Sequence, residues 1–214
     1  MAFASDAHSS TGKAESLGEK LLARGIGVLF YCGDFTNEGS TRLAGEILDA
    51  FKGLKVHAVP GNMDSKEIIE LLEKRGESIH RKKIELGGYT FIGLGGAKPV
   101  HTFYRVNLGE LEAKKCLEKL MDGADARKTV IVTHCPPSKC DGLSKTHSGI
   151  DLGLDALREM IGEKQPLLSV FCHVHESMGE AFIGKTKCVN TGALREGNAV
   201  IVDLLSLETE WLKV

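Results

Sequence analysis

Apolar positions along this chain alternate between two regimes. Short apolar runs of four to six residues are followed by longer stretches whose apolar positions fall three and four apart. The pattern predicts a strand at Met1–Ser5, a helix over Lys13–Arg24 with Leu17, Leu21 and Leu22 at helical spacing, and a buried strand at Ile26–Tyr31. A helix at Thr41–Phe51, a strand at Val56–Val59 and a helix at Lys66–Lys74 continue the alternation. The pattern then changes. Ser78–Leu86 and Tyr89–Leu94 flank Gly87-Gly88, a hairpin signal. Helices are predicted at Glu110–Met121 and Leu152–Ile161, with buried apolar runs at Thr129–Thr133 and Leu167–Phe171. Three short strands close the chain, Ala181–Ile183, Ala199–Leu204 and Glu208–Leu212. Strands alternating with helices argue for an α/β fold. The expected architecture is two packed sheets with helices outside, a first mixed sheet facing an antiparallel one made from the middle and end of the chain.

The 214 residues suit one domain, 1–214, large enough to bury a core without disulfides. Apolar residues at 42% and charged residues at 26% are ordinary for a folded chain and argue against disorder. A net charge of −2 carries no basic excess of the kind that grips a nucleic-acid backbone, so no specific nucleic-acid binding is expected. The densest basic cluster, His80-Arg81-Lys82-Lys83, reads as a solvated turn. The six cysteines form no C-x-x-C pair, the N-terminus is too short for a secretory segment, and no apolar run spans a membrane. A cytoplasmic protein with reduced thiols is the expectation. A homo-oligomer is compatible with the sequence.

The chemistry sits at the exit of each buried strand. Asp6 and His8 come after the first, Gly33-Asp34 after the second and Pro60-Gly61-Asn62 after the third. His134 comes after Thr129–Thr133, and Cys172-His173-Val174-His175 after Leu167–Phe171. In open α/β sheets, ligands bind beyond the carboxyl ends of strands, so these residues converge if the strands share a direction. Asp, Asn and His together suit divalent ions of the manganese-to-zinc series, and one shared carboxylate lets seven ligands hold two ions. Two ions about 3.5–4 Å apart can clamp both oxygens of a displacement at phosphorus. Each residue also has an ordinary structural reading. Asp6, Asp34 and Asn62 could shape turns, His8 could be a surface histidine, and His134 could be a hydrogen-bonded core residue. Five strand ends agreeing on ligand types weigh against that set of coincidences, and apolar packing gives no reason for both His173 and His175.

The ordered series Asp6-x-His8, Gly33-Asp34, Gly61-Asn62, His134 and His173-x-His175 resembles the calcineurin-like metallophosphoesterase superfamily, and the short loops resemble its compact prokaryotic phosphodiesterase branch. The resemblance implies a four-layer α/β/β/α sandwich, expected as two packed mixed sheets flanked by helices, and a binuclear metal centre. It implies that Asp6, His8 and His175 hold one divalent ion, that Asp34 bridges, and that Asn62, His134 and His173 hold the second. Manganese comes first among the candidate ions, with nickel, iron, zinc and magnesium behind it. The implied reaction is hydrolysis of a small phosphate-ester substrate by a metal-bridging hydroxide, with Asn62 also touching the phosphate.

The chain departs from that pattern at one place. Members of the family commonly carry a His after the Asn, which protonates the leaving group; here the residue is Met63, which has no proton to give. General acid catalysis contributes about 10²–10⁴-fold, so diesters with good leaving groups are favoured unless another residue, with His147 the candidate, substitutes. Asp64, with Glu67 three residues on, reads as a helix-capping pair. Asn190-Thr191-Gly192 and Arg195 resemble a substrate-side turn of the family, with a simple strand connection as the equal alternative. Two other functions are compatible with the fold class: a non-catalytic scaffold or protein-interaction module that retains metal binding, and a nuclease, which the missing histidine and the absent basic stripe disfavour.

Overall fold

The computed structural model describes residues 1–214. The first half builds β1 (Ala2–Ala4), α1 (Thr11–Ala23), β2 (Val28–Tyr31), α2 (Thr41–Ala50), β3 (Lys55–Ala58) and α3 (Lys66–Arg75). The chain continues through β4 (Lys82–Leu86), β5 (Tyr89–Leu94), α4 (Glu110–Met121), β6 (Thr129–Thr133), α5 (Asp155–Lys164) and β7 (Leu168–Phe171). It closes with β8 (Gly179–Ile183), β9 (Thr186–Asn190), β10 (Asn198–Val202) and β11 (Thr209–Lys213). The five-stranded sheet runs β11-β10-β1-β2-β3 and the six-stranded sheet β4-β5-β6-β7-β9-β8.

Strand alternation explains why these layers stack. Successive side chains on a strand point to opposite faces, so a strand buried on both sides must be apolar at every position. In β1, Ala2 and Ala4 face the layer of α1–α3 while Phe3 faces the other sheet. In β2, Leu29 and Tyr31 face that same helical layer while Phe30 turns inward and stacks on Phe91 of β5 with ring centroids 4.2 Å apart. In β6, Val130 and Val132 turn inward while Ile131 faces the α4–α5 layer. Three apolar cores result, one between the sheets and one under each helical layer, and together they make the four-layer α/β/β/α sandwich.

The helices arise from amphipathic spacing and local caps. In α2, Ala44, Ile47 and Leu48 form the buried stripe, and the Ser40 hydroxyl accepts from Leu43 N at the open end. In α3, Ile68 and Leu72 are buried, and Gly76 ends the helix at φ 72°, a left-handed conformation that glycine adopts without strain. The cap of α3 is Ser65, whose hydroxyl accepts from Ile68 N; Asp64, expected to cap, points elsewhere.

Two expectations for the second sheet are corrected. It is mixed, as the sandwich of two mixed sheets requires, and not antiparallel as the hydrophobic pattern suggests: β5, β6, β7 and β9 run parallel, and only the edge strands β4 and β8 are antiparallel. The last two strands do not belong to it. β10 pairs antiparallel with β1, and β11 with β10, so the chain's end completes the first sheet. β9 has no counterpart in the hydrophobic pattern because Lys187 interrupts it. That lysine is buried, with its charge met by Glu180 (2.9 Å) and its ammonium donating to Leu207 O and Thr209 Oγ1 (both 2.6 Å).

Within the basic cluster at residues 80–83, Arg81, Lys82 and Lys83 are solvent-facing, but their charges are spoken for. Arg81 pairs with Glu112 (2.5 Å), Lys82 pairs with Glu73, and Lys83 donates to Asp122 O (2.8 Å). No helix is long and apolar enough to cross a membrane. All six cysteines are free.

Candidate metal centre

Loops leaving β1, β2 and β3 meet loops leaving β6 and β7 at the seam between the two sheets. On the first sheet's side the loops are stitched together by their backbones. Asp6 N donates to Gly33 O (2.8 Å) and His8 N to Asp34 O (3.2 Å), while Met63 N donates to Asp34 Oδ1 (2.8 Å). Gly61 permits this approach: a Cβ there would collide with the backbone nitrogen and the carboxylate of Asp34. Asp64 supplies the clamp. Its fully buried carboxylate accepts from Phe35 N (3.0 Å), Thr36 N (3.3 Å) and Gly61 N (2.8 Å), tying the loop after β2 to the loop after β3. Burial outweighs those donors and pushes its carboxyl up to about 7.

Four of the seven predicted ligands are held in left-handed backbone conformations: Asp6 (φ 59°), His8 (φ 46°), Asp34 (φ 52°) and His173 (φ 65°). A non-glycine residue there costs about 1–2 kcal/mol, with Asp, Asn and His the types that tolerate it best. Such strain persists only where surrounding contacts fix it, and it concentrates at functional sites.

The side chains converge on two small groups. Asp6, His8 and His175 offer ligand atoms within 4.8 Å of one another, and so do Asp6, Asp34 and His134. Asp6 Oδ1 lies 2.6 Å from His175 Nε2 and 3.3 Å from His8 Nε2. Asp34 Oδ2 stands between the groups, 3.7 Å from His8 Nε2 and 3.6 Å from His134 Nε2. Those gaps are too long for hydrogen bonds, yet they match two ligand atoms that each lie about 2.0–2.2 Å from a common ion. Asn62 Oδ1 is 2.8 Å from His134 Nε2. His173 stands outside both tight groups, its ring beside that of His134 with centroids 5.0 Å apart.

One contact tests whether these residues fit a cation. His134 Nδ1 lies 2.8 Å from the carbonyl of Cys32, which can only accept, so the ring's proton sits on Nδ1. Burial lowers the pKa of His134 and keeps the ring neutral. Its Nε2 therefore presents a lone pair to the amide oxygen of Asn62, another lone pair. The His8 and His175 Nε2 atoms lie 3.3 Å apart with Asp6 Oδ1 beside both, a second converging set of donor atoms. A cation between such donors removes the repulsion, and a backbone-anchored Nδ1–H is the usual outer support of a metal-binding histidine. His8 differs in lacking that support, its Nδ1 being buried without a partner.

Electrostatics point the same way. Asp6 and Asp34 are both buried, at 0% and 2% exposure, and no lysine or arginine is bonded to either. Burial opposes the Asp6 carboxylate, but His175 and His134 outweigh it and hold the carboxyl well below the usual range. Asp34 is pushed well above that range by burial and by the Asp6 and Asp64 carboxylates. His173 is driven down to about 3 by burial and by neighbouring His134, and so stands as a neutral donor. A pair of buried carboxylates that cannot both be charged alone can be charged with a divalent cation between them.

The remaining predicted residues occupy the rim. Arg195 is exposed. Its backbone N donates to Asp6 O (3.0 Å), and its guanidinium lowers the pKa of Asp34 by its field. His147 is also exposed; its backbone N donates to Glu176 (3.0 Å), next to His175, and its ring is not drawn into the ligand cluster. Asn190 is a buried tie. Its amide donates to Val174 O (2.9 Å), between His173 and His175, and to Leu143 O (3.2 Å), and its oxygen accepts from Gly192 N (3.0 Å). Cys135 turns away from the centre, its thiol on Leu152 O (3.2 Å), whereas the buried thiol of Cys172 lies beside Asp6. Sequence reasoning missed two features here, the clamp role of Asp64 and the loop between β5 and α4. That loop brings Tyr104 to His173 with ring centroids 5.9 Å apart. The visible signal was three ring-bearing residues in four positions, His101 to Tyr104.

Comparisons with known proteins identify the fold and the family. An uncharacterized protein of Methanocaldococcus jannaschii is 29% identical over 169 residues, covering 76% of each chain. A crystal structure from Thermus thermophilus superposes with a TM-score of 0.77 at 17% identity, covering 99% of this chain and 97% of that one. A dimetal phosphatase from Danio rerio superposes at 0.67 with 12% identity (99% and 98% coverage), and an archaeal phosphodiesterase at 0.60 with 15% identity and full coverage of both. These likenesses establish the fold. The family model described as metallophosphoesterase, calcineurin superfamily, matches residues 40–214, a span that holds Asn62, His134, His173 and His175. Fold, donor set and family model converge: the chain belongs to the calcineurin superfamily of metallophosphoesterases.

Proposed function

We propose that the protein is a phosphodiesterase working at a two-ion centre, with Asp6, His8 and His175 holding one divalent ion, Asn62, His134 and His173 the other, and Asp34 shared. The observation that carries the reading is the opposed lone pairs of His134 Nε2 and Asn62 Oδ1 at 2.8 Å beside the Asp34 carboxylate. When bound, the ions supply Lewis acidity, which makes hydroxide available from water at neutral pH and neutralises charge developing on phosphoryl oxygens.

The chain's own residues provide the rest. The Cys32 carbonyl fixes the His134 tautomer, and the Asp64 clamp fixes the distance between Asp34 and Asn62. The Asn62 amide and the exposed Arg195 guanidinium bind phosphoryl oxygens. Met63 is half-buried where a histidine would protonate the leaving group, so the enzyme favours diesters whose leaving groups depart unprotonated. His147, on the neighbouring exposed loop, is the residue available to donate a proton to poorer ones. Six free cysteines support a cytoplasmic location.

The test is hydrolysis of bis-p-nitrophenyl phosphate against p-nitrophenyl phosphate with manganese, nickel, iron, zinc and magnesium in turn. The diester is expected to be the better substrate, with manganese the first choice of ion. Asp34→Ala is expected to lower kcat/KM by about 10³-fold or more, since several kcal/mol of charge stabilisation depend on the shared ligand. A protein that binds two ions per chain and cleaves neither ester would overturn the proposal.

A further inference from the structure

The loop between β5 and α4 has locked legs and an exposed aromatic tip. Ala97 N donates to Val106 O (3.2 Å) and Leu108 N to Ala97 O (2.9 Å), closing the legs. Arg105 N and Val106 N both donate to the carbonyl of Asn62 (2.8 and 3.3 Å), so the loop is tied to a residue of the metal centre. At the tip, the rings of His101 and Phe103 stack with centroids 5.0 Å apart and planes 9° from parallel. Tyr104 stands nearly perpendicular to both, at 5.3 and 5.2 Å, and is also 5.9 Å from the ring of His173. Three rings thus lead outward from the centre. Phe103, one ring beyond Tyr104, is 58% exposed although it stacks on His101. Leaving so large an apolar face in water forgoes the stabilisation of burying it.

We propose that this cluster is a stacking shelf for the base of a nucleotide phosphate ester, with Phe103 the residue that selects it. The inference rests on the phosphoesterase reading of the adjoining centre. Its position favours a nucleotide over a simple aryl ester. An aromatic group joined directly to the ester oxygen would lie against Tyr104, beside His173. Phe103 is one ring further out, where a base reaches when a sugar separates it from phosphorus. Stacking on an aromatic face works with any base, so the shelf selects nucleotides as a class. Tyr104 supports the shelf as a neutral phenol, since burial and the field of Asp34 push its pKa up to about 12.

The experiment is calorimetric titration of the metal-loaded protein with adenosine 5′-monophosphate and, separately, with ribose 5-phosphate, which has the same phosphate and sugar without a base. The nucleotide is expected to bind about 5- to 150-fold more tightly, the range of one base–aromatic stack. Phe103→Ala should bring the nucleotide down to the level of ribose 5-phosphate and leave ribose 5-phosphate unchanged; Phe103→Trp should restore the difference. Equal affinities in the wild-type protein, or no binding of either ligand, overturn the shelf. An equal weakening of both ligands in Phe103→Ala also overturns it, because that marks a structural role. The outcome is separable from the diester assay. A protein that cleaves bis-p-nitrophenyl phosphate but cannot tell nucleotide from sugar phosphate refutes the shelf alone. One that prefers the nucleotide but cleaves no ester refutes the esterase alone.

Discussion

The two sheets bring different chemistry to the seam. The first contributes every oxygen donor, Asp6, Asp34 and Asn62, together with His8; the second contributes only imidazoles, His134, His173 and His175. They are also built differently. The first sheet's loops are short, strained and bonded to one another, through Gly33, Gly61 and the Asp64 clamp. The second sheet's loops are anchored to their own sheet: Cys172 N donates to His134 O (3.1 Å), Thr191 N to Phe171 O (2.9 Å), and Asn190 holds Val174. Anionic oxygens repel one another and need rigid backbone to stay close, whereas imidazoles need only correct aim. The difference shows that this centre is positioned by two devices, joined where His134 Nδ1 meets the Cys32 carbonyl, and each can be attacked separately.

The largest effect is expected at the first device. Gly61→Ala places a methyl group where the Asp34 backbone and carboxylate lie, so Asp34, the proposed shared ligand, must move. Diester turnover should fall by about 10²-fold or more, consistent with the sensitivity of catalysis to displacements of about 1 Å. Circular dichroism should stay native, because the two helical cores are untouched. Retained activity in a folded variant would show that the Asp34 position is not set by this approach.

Asn190→Ala attacks the second device. It removes the donor to Val174 O and Leu143 O and the acceptor for Gly192 N, all in buried surroundings. Urea unfolding should report a loss of about 1–3 kcal/mol, and turnover should drop by about 10–100-fold as His173 and His175 lose their aim. A stability loss with unchanged turnover would place the aim of the two histidines elsewhere.

The smallest effect on turnover is expected from a residue that separates the halves by acid. His80 precedes β4 at the second sheet's edge, where Gly95 N donates to its Nδ1 (3.0 Å). Burial, with Arg81 beside it, lowers its pKa to about 4. The unfolded chain takes up a proton at His80 near pH 6.5, and the folded chain refuses it until about pH 4. Stability from this residue is therefore complete above pH 6.5 and is lost as pH falls toward 4, by roughly 3 kcal/mol. His80→Gln should flatten that part of the pH–stability profile measured by thermal unfolding. An identical slope in the variant would assign acid sensitivity to other groups.

Much of this site was legible because strand ends are local features. Asp6, Asp34, Asn62 and His134 each come after a run apolar enough to be recognised as buried, and His173-x-His175 is a pair that packing does not explain. Asp64 was misread because its nearest neighbours fit a helix cap, while its real partners, Phe35 and Thr36, come from another loop. The closing strands were assigned to the wrong sheet for a related reason. An apolar run carries the need to pair, but its partner is chosen by long-range geometry, and β10 found β1 about 200 residues away. β9 stayed hidden because a buried lysine with three partners reads, in sequence, as a surface residue.

The sequence by itself determined the alternating α/β architecture, the donor types and the point on each strand where they emerge, since hydrophobic period and residue chemistry are local properties. Only the tertiary structure decided which oxygens face which imidazoles, that His173 stands outside the tight groups, and that an aromatic loop is tied to Asn62. Those facts depend on two sheets meeting at a seam, and distances across a seam are set by packing between residues far apart in the chain.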